Sequence, residues 1–340
     1  MVPMNFTSIY RTSLGLAAFF VLFGVLHAEE TKRIAANKER IIKTVRFLSE
    51  ENFPRTAAPK NKEKTVDYLI KSLTAAGLEA ARHEFAIKQF LCDDTFSGTN
   101  HNDVAIELNS YTFTNIHALK KGKTDKRIVV GAHYDIVAES PGADDNASAV
   151  ATIIELAHLL KETTKLNCDV ELVFYDLEEE GLYGSRYHAK KLKNQKVNVV
   201  CMLCMDLVGY YSDAEHSQTY PVSGLSVLYG TKGDFLAMIG KPEDAKLIAD
   251  AQKAFRETTT LKIQTFSAPK GLDILLSRSD HAPFWQEGYP ALFFTDTADF
   301  RSKHYHQKTD TWRTLDYDRL AQVPVGMYHV VLAIDAAQMP

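Results

Sequence analysis

The 340-residue chain has only four cysteines and two tryptophans, and it has no excess of basic residues. Four cysteines, Cys92, Cys168, Cys201 and Cys204, are too few for a disulfide scaffold. Cys201-Met202-Leu203-Cys204 has the spacing of a zinc or redox motif. It lies in an apolar strand-like run, however, where alternation sends the two thiols to opposite faces. They read as core thiols. A net charge of −4, with no Lys/Arg stripe or tail, offers nucleic acid no electrostatic footprint. Heptads, repeats and low-complexity tracts are also missing. No linker rich in proline, glycine or serine divides the chain.

No apolar run is long enough for an ordinary membrane span, which needs roughly 20 residues. The run from Leu14 to Leu26 is shorter. Arg11 precedes it and His27-Ala28-Glu29 follows, which is the pattern of a secretory signal peptide ending at Ala28. An uncleaved anchor is the alternative. The expected organisation is a signal at 1–28 and one domain at 29–340. The mature chain is then periplasmic or secreted, with no stable membrane association.

What is present is an alternation of strands and helices. Apolar residues recur at helical spacing from Ile34 to Leu48. Thr65 reads as an N-cap for a helix with Val66, Leu69, Ile70 and Leu73 on one face, stopped at Gly77. Strand signals follow at Phe85 to Phe90 and Tyr111 to His117. Continuous apolar strands are expected at Arg127 to Ala132, Val170 to Tyr175, Val197 to Met205 and Ala291 to Thr295. Helices are expected at Ala147 to Leu160, Gly184 to Leu192, Asp244 to Glu257 and Tyr317 to Ala336. The stretch from Gly209 to Gly240 reads as irregular. Unbroken Val/Ile/Leu strands between helices predict an α/β fold: a mixed, mostly parallel central sheet with helices on both faces.

In such sheets ligands gather at the carboxyl ends of the strands. The expected ends here carry His133-Tyr134-Asp135, Asp176-Leu177-Glu178-Glu179-Glu180 and Met205-Asp206. The loop Gly142-Ala143-Asp144-Asp145-Asn146 precedes a helix, and His304-Tyr305-His306 follows the late strand. Two imidazoles and three carboxylates suit zinc, and secondarily cobalt or manganese. Five such ligands exceed one tetrahedral site. A carboxylate shared by two ions about 3.5–4 Å apart resolves the count. Asp135, two residues from His133, can accept a hydrogen bond from the imidazole.

In order and spacing, His133-Tyr134-Asp135, "PGADDNASA", "EEEGLYGS", "MDLVG", "SDHAPFWQEGYPALFF" and "YHQKTDTW" resemble the zinc-dependent aminopeptidase family. That family includes exported bacterial leucyl-type aminopeptidases, glutamate carboxypeptidase II and the glutaminyl cyclases. The resemblance runs from about Lys32 to the end and is weakest before Thr112. It implies a three-layer sandwich of the phosphorylase/hydrolase type. It implies His133, Asp145, Glu179, Asp206 and His306 as ligands of two zinc ions, with Asp145 bridging. Glu178 is implied as the general base, acting on a hydroxide shared by the metals, with Asp135 as partner of His133. Glu180 is expected to face solvent.

The expected function is therefore an exported di-zinc aminopeptidase acting on peptides with a free N-terminus. The resemblance favours His306 over His304 as ligand, because His306 matches the family's histidine four residues before the Asp of "DT". His281 reads as structural. His83, His101, His117, His158, His188, His216 and His329 read as surface or core residues. Asn146-Ala147-Ser148 reads as an accidental glycosylation match. The cysteine-bounded turn and tyrosine of some bacterial members are missing from Asp273 to Arg278, where Arg278 reads as a salt-bridge partner. A glutaminyl cyclase is the first alternative, although cyclases tend to carry an insertion where Gly181 follows the glutamates here. A zinc carboxypeptidase is the second, and a non-enzymatic binding protein the third.

Overall fold

The computed structural model describes residues 34–56, 59–87, 112–222, 224–267 and 276–338. The expected export signal, Cys92, His101 and residues 273–275 lie outside them. Eight strands form one sheet: β1 (Ala80–Ala86), β2 (Thr112–Lys120), β3 (Lys126–His133), β4 (Asp169–Tyr175), β5 (Asn198–Met205), β6 (Phe235–Gly240), β7 (Lys262–Ser267) and β8 (Ala291–Thr295). Their order is β1-β2-β4-β3-β5-β8-β6-β7. The central four, β4-β3-β5-β8, are mutually parallel. β2 runs antiparallel to β4 and to β1. At the other side β6 runs antiparallel to β8, and β7 is parallel to β6.

Helices cover both faces, which explains why β4 is buried at every position. On one side α3 (Ala149–Lys161) lies on β3 and β4 and packs against α9 (Val323–Ala336) and α1 (Lys38–Arg46). Beside them α6 (Ala245–Thr258) covers β6 and β7. On the other side α4 (Tyr183–Asn194) and α7 (His281–Gln286) close over a core of Val129, Val173, Met202, Cys204, Leu192 and Phe284. Ile128 and Val130, one step along β3, are equally buried. Alternation turns them to the opposite layer. Cys201 and Cys204 are buried free thiols, as expected, and Cys168 is another.

Three expectations change. The helix α2 (Pro59–Ala75) begins before Thr65. Thr65 is fully buried and accepts a hydrogen bond from Asn52 Nδ2 (2.6 Å), so it is a packing residue rather than a cap. The closing helix is two pieces, α8 (Tyr317–Leu320) and α9, with a proline in the first turn of the latter. Proline pre-sets the first turn and cannot continue a preceding helix. The stretch read as irregular contains β6 and the short helix α5 (Leu225–Tyr229). Among the described residues, no helix is long and apolar enough to cross a membrane.

Candidate metal centre

Because β3, β4, β5 and β8 are parallel, their carboxyl ends share one edge of the sheet. His133 is the last residue of β3, while Glu178 and Glu179 follow β4, Asp206 follows β5 and His306 lies in the segment after β8. The chain turns sharply at this edge. Leu177 before Glu178, Leu207 after Asp206, and His306 itself all take left-handed backbone angles (φ 57°, 55° and 56°). Such angles are uncommon for residues with a side chain and gather at functional sites. Asp145 comes from a π-helical turn, Ala143–Ser148, ahead of α3, and its own backbone is non-helical (φ −100°, ψ 89°).

These turns bring all the expected side chains together. His133 Nε2 lies 3.2 Å from Asp145 Oδ1 and 3.1 Å from Asp206 Oδ1. His306 Nε2 lies 3.1 Å from Asp145 Oδ2 and 3.4 Å from Glu179 Oε2. Asp145 therefore offers one oxygen to each histidine. Glu178 Oε2 stands 3.9 Å from His133 Nε2. Among the described residues, three groups have donor atoms within 4.8 Å of one another: His133/Asp145/Asp206, Asp145/Glu179/His306 and His133/Glu178/Glu179.

The electrostatics fit a cation. Burial raises Glu178 well above the usual carboxylate range, with His133 opposing it and Asp206 and Glu179 adding to it. Burial and then Asp145 push Glu179 up to about 7. Burial opposes charge on His306, but Glu179 and Asp145 outweigh it and raise the imidazole to about 11. For Asp145, burial is outweighed by hydrogen bonds from His133 and His306, which hold it well below its ordinary value. The cluster thus carries more acid than its histidines neutralise. Oxygen and imidazole donors with surplus negative charge are what a divalent zinc requires.

A surrounding layer holds these donors in place. Asp135 accepts from the backbone N–H groups of Glu178 (3.1 Å) and Glu179 (3.2 Å), so its carboxylate anchors the glutamate pair. His133 Nδ1 meets the Asp135 main-chain carbonyl at 3.3 Å and its carboxylate only at 3.6 Å. The expected imidazole–carboxylate bond is therefore the minor contact. β3 ends at His133, so strand alternation no longer aligns the two side chains.

Asp310 accepts from the N–H groups of Asp144 (2.9 Å) and Asp145 (3.1 Å). Arg55 is fully buried and donates to the carbonyls of Tyr134 (2.8 Å), Pro141 (3.1 Å), Gly142 (3.0 Å) and Leu48. Gly142 is left-handed (φ 65°), and a Cβ there would lie 2.4 Å from the Asp145 carbonyl and 2.9 Å from Arg55 Nη2. Only glycine fits this turn.

Asp310 served in the sequence only as a landmark, and Arg55 stands in no recognised motif. Asp280 also went unnoticed beside His281. It is fully buried, and burial pushes it up to about 7, with His133 opposing and Asp206 adding. No spacing rule flags these three, because their importance lies in contacts far along the chain.

The remaining expectations resolve individually. His304 bonds Thr309 and belongs to none of the three donor groups. His281 is buried between Phe293 and Trp285 and bonds the Leu276 carbonyl through Nε2 (2.7 Å). Asn146 is fully buried and bridges Met205 O and Leu207 N, which suits the accidental reading of its sequon. Arg278 pairs with Asp299 at 2.9 Å. Glu180 is half-buried rather than solvent-facing.

Comparison with known proteins identifies the family. The model of peptidase family M28 matches residues 115–331. An uncharacterized Escherichia coli protein, YfbL, is 33% identical over 294 residues, covering 81% of this chain and 88% of that protein. A probable zinc metalloprotease of Pyrenophora tritici-repentis is 28% identical over 78% of this chain and 61% of its own length. Leucine aminopeptidase 1 of Paracoccidioides brasiliensis is 27% identical over 63% of this chain and 53% of its own. The chain thus spans little more than half the length of these two fungal relatives.

In fold, the chain resembles the zinc aminopeptidase BSAP of Bacillus subtilis (TM-score 0.67, 17% identity, 89% of this chain and 97% of that one). It also resembles the glutaminyl cyclase of Fimbriiglobus ruber (TM-score 0.62, 18% identity, 89% and 97%). With residues 115–331 matched by the family model and a 33% identical relative aligned over 81% of it, the chain belongs to peptidase family M28 and is a hydrolase of the metallo-exopeptidase class.

Proposed function

We propose that the chain is an exported aminopeptidase that holds two zinc ions and removes N-terminal residues from peptides. The observation that carries this reading is the division of the Asp145 carboxylate between His133 and His306. His133 and Asp206 would hold one ion, Glu179 and His306 the other, and Asp145 both. Bound zinc supplies a Lewis acid that polarises a peptide carbonyl and makes water acidic near neutral pH.

Glu178 is the proton carrier. It is buried beside His133, and its carboxylate is the one acid of the edge that this reading leaves free of metal, which suits it to carry a proton. It takes a proton from water as the water oxygen bonds to the peptide carbon. It then returns that proton to the nitrogen as the C–N bond breaks, so the products are an amino acid and a shortened peptide. Asp135 keeps Glu178 aimed by holding its main-chain N–H. The surplus acid at this edge also favours a substrate bearing an α-ammonium group.

A glutaminyl cyclase is the second reading, favoured by structural neighbours of that activity. Against it, Gly181 and then α4 follow Glu178 almost directly, so the chain carries no insertion at this point.

The test is a metal count on purified protein, run beside cleavage of free-amine peptides and their acetylated twins. About two zinc per chain, with cleavage of free-amine peptides alone, is the expected result. Ammonia release and ring closure from N-terminal glutamine would establish a cyclase. Cleavage of acetylated peptides from the carboxyl end would establish a carboxypeptidase. A mature N-terminus at residue 29, found outside the cytoplasm, is the expected outcome for export.

A further inference from the structure

The loop that carries Glu178 and Glu179 leaves the sheet after β4 and enters α4, and its two ends meet. Gly184 N donates to Asp176 O (3.0 Å) and Tyr183 N to Leu177 O (3.0 Å), while Gly181 N and Leu182 N both donate to Glu178 O (2.9 Å). These bonds close the loop on itself, but they do not fix how it sits against the other donors. Leu177 and Leu182 hold left-handed angles (φ 57° and 62°), uncommon for residues with a side chain. Such a backbone persists where its surroundings over-determine it.

Asp135 supplies one hold, on the N–H groups of Glu178 and Glu179. A separate hold grips the base of the loop. Asn115, buried in β2, reaches both ends: its Oδ1 accepts from Asp176 N (3.0 Å) and its Nδ2 donates to Gly184 O (2.8 Å). A Cβ on Gly184 would lie 2.4 Å from Asn115 Oδ1, so glycine is what admits the amide. Asp176 is buried as well. Its Oδ2 accepts from Thr114 N (3.2 Å), and its Oδ1 pairs with Lys62 Nζ from α2. Lys62 is itself buried, with Nζ 5.1 Å from the centre of the Phe113 ring. Phe113 forms one apolar cluster with Phe85 and Leu177.

A buried ion pair adds little net stability, because desolvation offsets the attraction. What it does fix is position, since neither charge can leave the other without a large cost. The Lys62–Asp176 pair is placed where position matters, two residues ahead of the proton carrier.

We propose that Lys62 and Asn115 are positioning residues for the reaction: by gripping Asp176 and Gly184 they fix the loop that aims Glu178 and Glu179. The inference rests on the reading above, in which Glu178 carries the proton and Glu179 holds metal. Lys62→Met leaves a buried carboxylate without its counter-charge. Asp176 then turns toward other donors or water and draws Leu177 and Glu178 with it. Misplacement by about 1 Å costs on the order of 10²-fold in rate.

The experiment compares wild type with Lys62→Met, Asn115→Ala and a stability control, Leu73→Ala, a fully buried residue of the same helix. Cleavage of a free-amine peptide is measured well below each melting temperature. All three variants should melt earlier than wild type. Lys62→Met and Asn115→Ala should lower kcat about 10- to 100-fold with KM within about threefold of wild type, whereas Leu73→Ala should keep its kcat. Should Lys62→Met fail to fold, Lys62→Met/Asp176→Asn, which removes both charges, takes its place. A lower melting temperature with kcat intact is the mark of a merely structural role and overturns the proposal, as does an equal loss of kcat in Leu73→Ala.

A second readout needs neither metal nor substrate. In zinc-free protein, Lys62→Met and Asn115→Ala should speed amide hydrogen exchange at Gly181, Leu182, Tyr183 and Gly184 about tenfold, the worth of one hydrogen bond, and Leu73→Ala should not. Exchange at wild-type rates overturns the proposal. If wild type cleaves no free-amine peptide, the aminopeptidase reading fails by itself. The clamp is then judged on exchange together with zinc retention against a chelator. Faster exchange with weaker retention in Lys62→Met upholds it, and no change in either one discards it.

Discussion

At the carboxyl edge of the sheet, His133 and His306 flank Asp145 among Glu178, Glu179 and Asp206. On the face beneath α4, a second group gathers. His117 Nδ1 lies 3.0 Å and His188 Nε2 3.5 Å from the same oxygen of Glu171, and the His83 ring rests on His117 with centroids 3.3 Å apart. Both clusters are largely buried around a fully enclosed acid or imidazole and both mix imidazole with carboxylate, yet they are built to opposite ends. Arg127 Nη1 pairs with the other Glu171 oxygen at 3.0 Å, and Tyr175 Oη meets His188 Nδ1 at 3.1 Å. One acid is thus surrounded by a guanidinium and two imidazoles. Burial opposes its charge, but His188 and His117 outweigh burial and hold Glu171 well below its usual range. At the edge the acids outnumber their partners, and Glu179 rises to about 7. Among the described residues, every group with donors close enough for one ion lies at the edge. Surplus charge, rather than the mere presence of histidine and acid, marks the functional cluster.

The largest effect should come from the proton carrier. Glu178→Gln is expected to lower kcat by about 10²–10⁴-fold while the zinc count measured on the same sample stays near wild type. Loss of zinc along with activity would mean that Glu178 is chiefly a metal donor.

Next is Arg55, the buried cation behind the edge. Arg55→Met removes the guanidinium from the carbonyls of Tyr134, Pro141 and Leu48, while Gly142 O keeps the Ala147 N–H (3.1 Å), and should cost roughly 1–3 kcal/mol for each buried acceptor left unpaired. It should also loosen the turn carrying Asp145, so competition with a chelator should show weaker zinc retention. Arg55→Lys should restore part of it.

Metal removal gives the two clusters opposite signatures. Zinc at a hundredfold excess over its Kd should stabilise the fold by about 3 kcal/mol, read as the melting shift on adding chelator. In the stripped protein the folded-state affinity of Glu179 for a proton is raised from 4.5 to about 7. The folded state then holds more protons than the unfolded one between those values. This stability is full below the unfolded value and is lost as pH rises through about 7. The stripped protein should therefore suffer more at pH 8 than at pH 5.5.

Glu171 behaves in reverse. Its folded affinity is depressed, so its contribution is present above the unfolded value of 4.5 and is lost as pH falls. Glu171→Gln should cost about 1–3 kcal/mol in urea unfolding at pH 7 and flatten the acid limb. The zinc count should not move. If it does, the two clusters are not independent.

Much of the edge was legible. The strands that end at His133, Tyr175 and Met205 are mostly apolar, and the acids and imidazoles at or just after their ends are the ones whose donor atoms converge. β6 and β7 were hidden. Phe235–Gly240 sits in a stretch crowded with glycine, serine and tyrosine, and Lys262–Ser267 mixes polar with apolar residues at a sheet margin. Thr65 mimicked a cap because a polar residue before an apolar stripe looks the same whether the helix starts there or has run for a turn already.

By itself, the order of residues determined which side chains could carry chemistry, since parallel strands must deliver their following residues to one edge. It could not determine charge balance. His83, His117 and His188 stand far apart in the chain and read as lone residues. Only the pairing of β1 with β2, of β2 with β4, and the seating of α4 put them around Glu171. Arg55 and Asp310 are likewise anonymous until the chain brings them behind Asp145. Hydrophobic periodicity is a local property that a sequence displays directly. The neutralisation of a buried charge depends on every group within a few ångströms, and that neighbourhood exists only after folding.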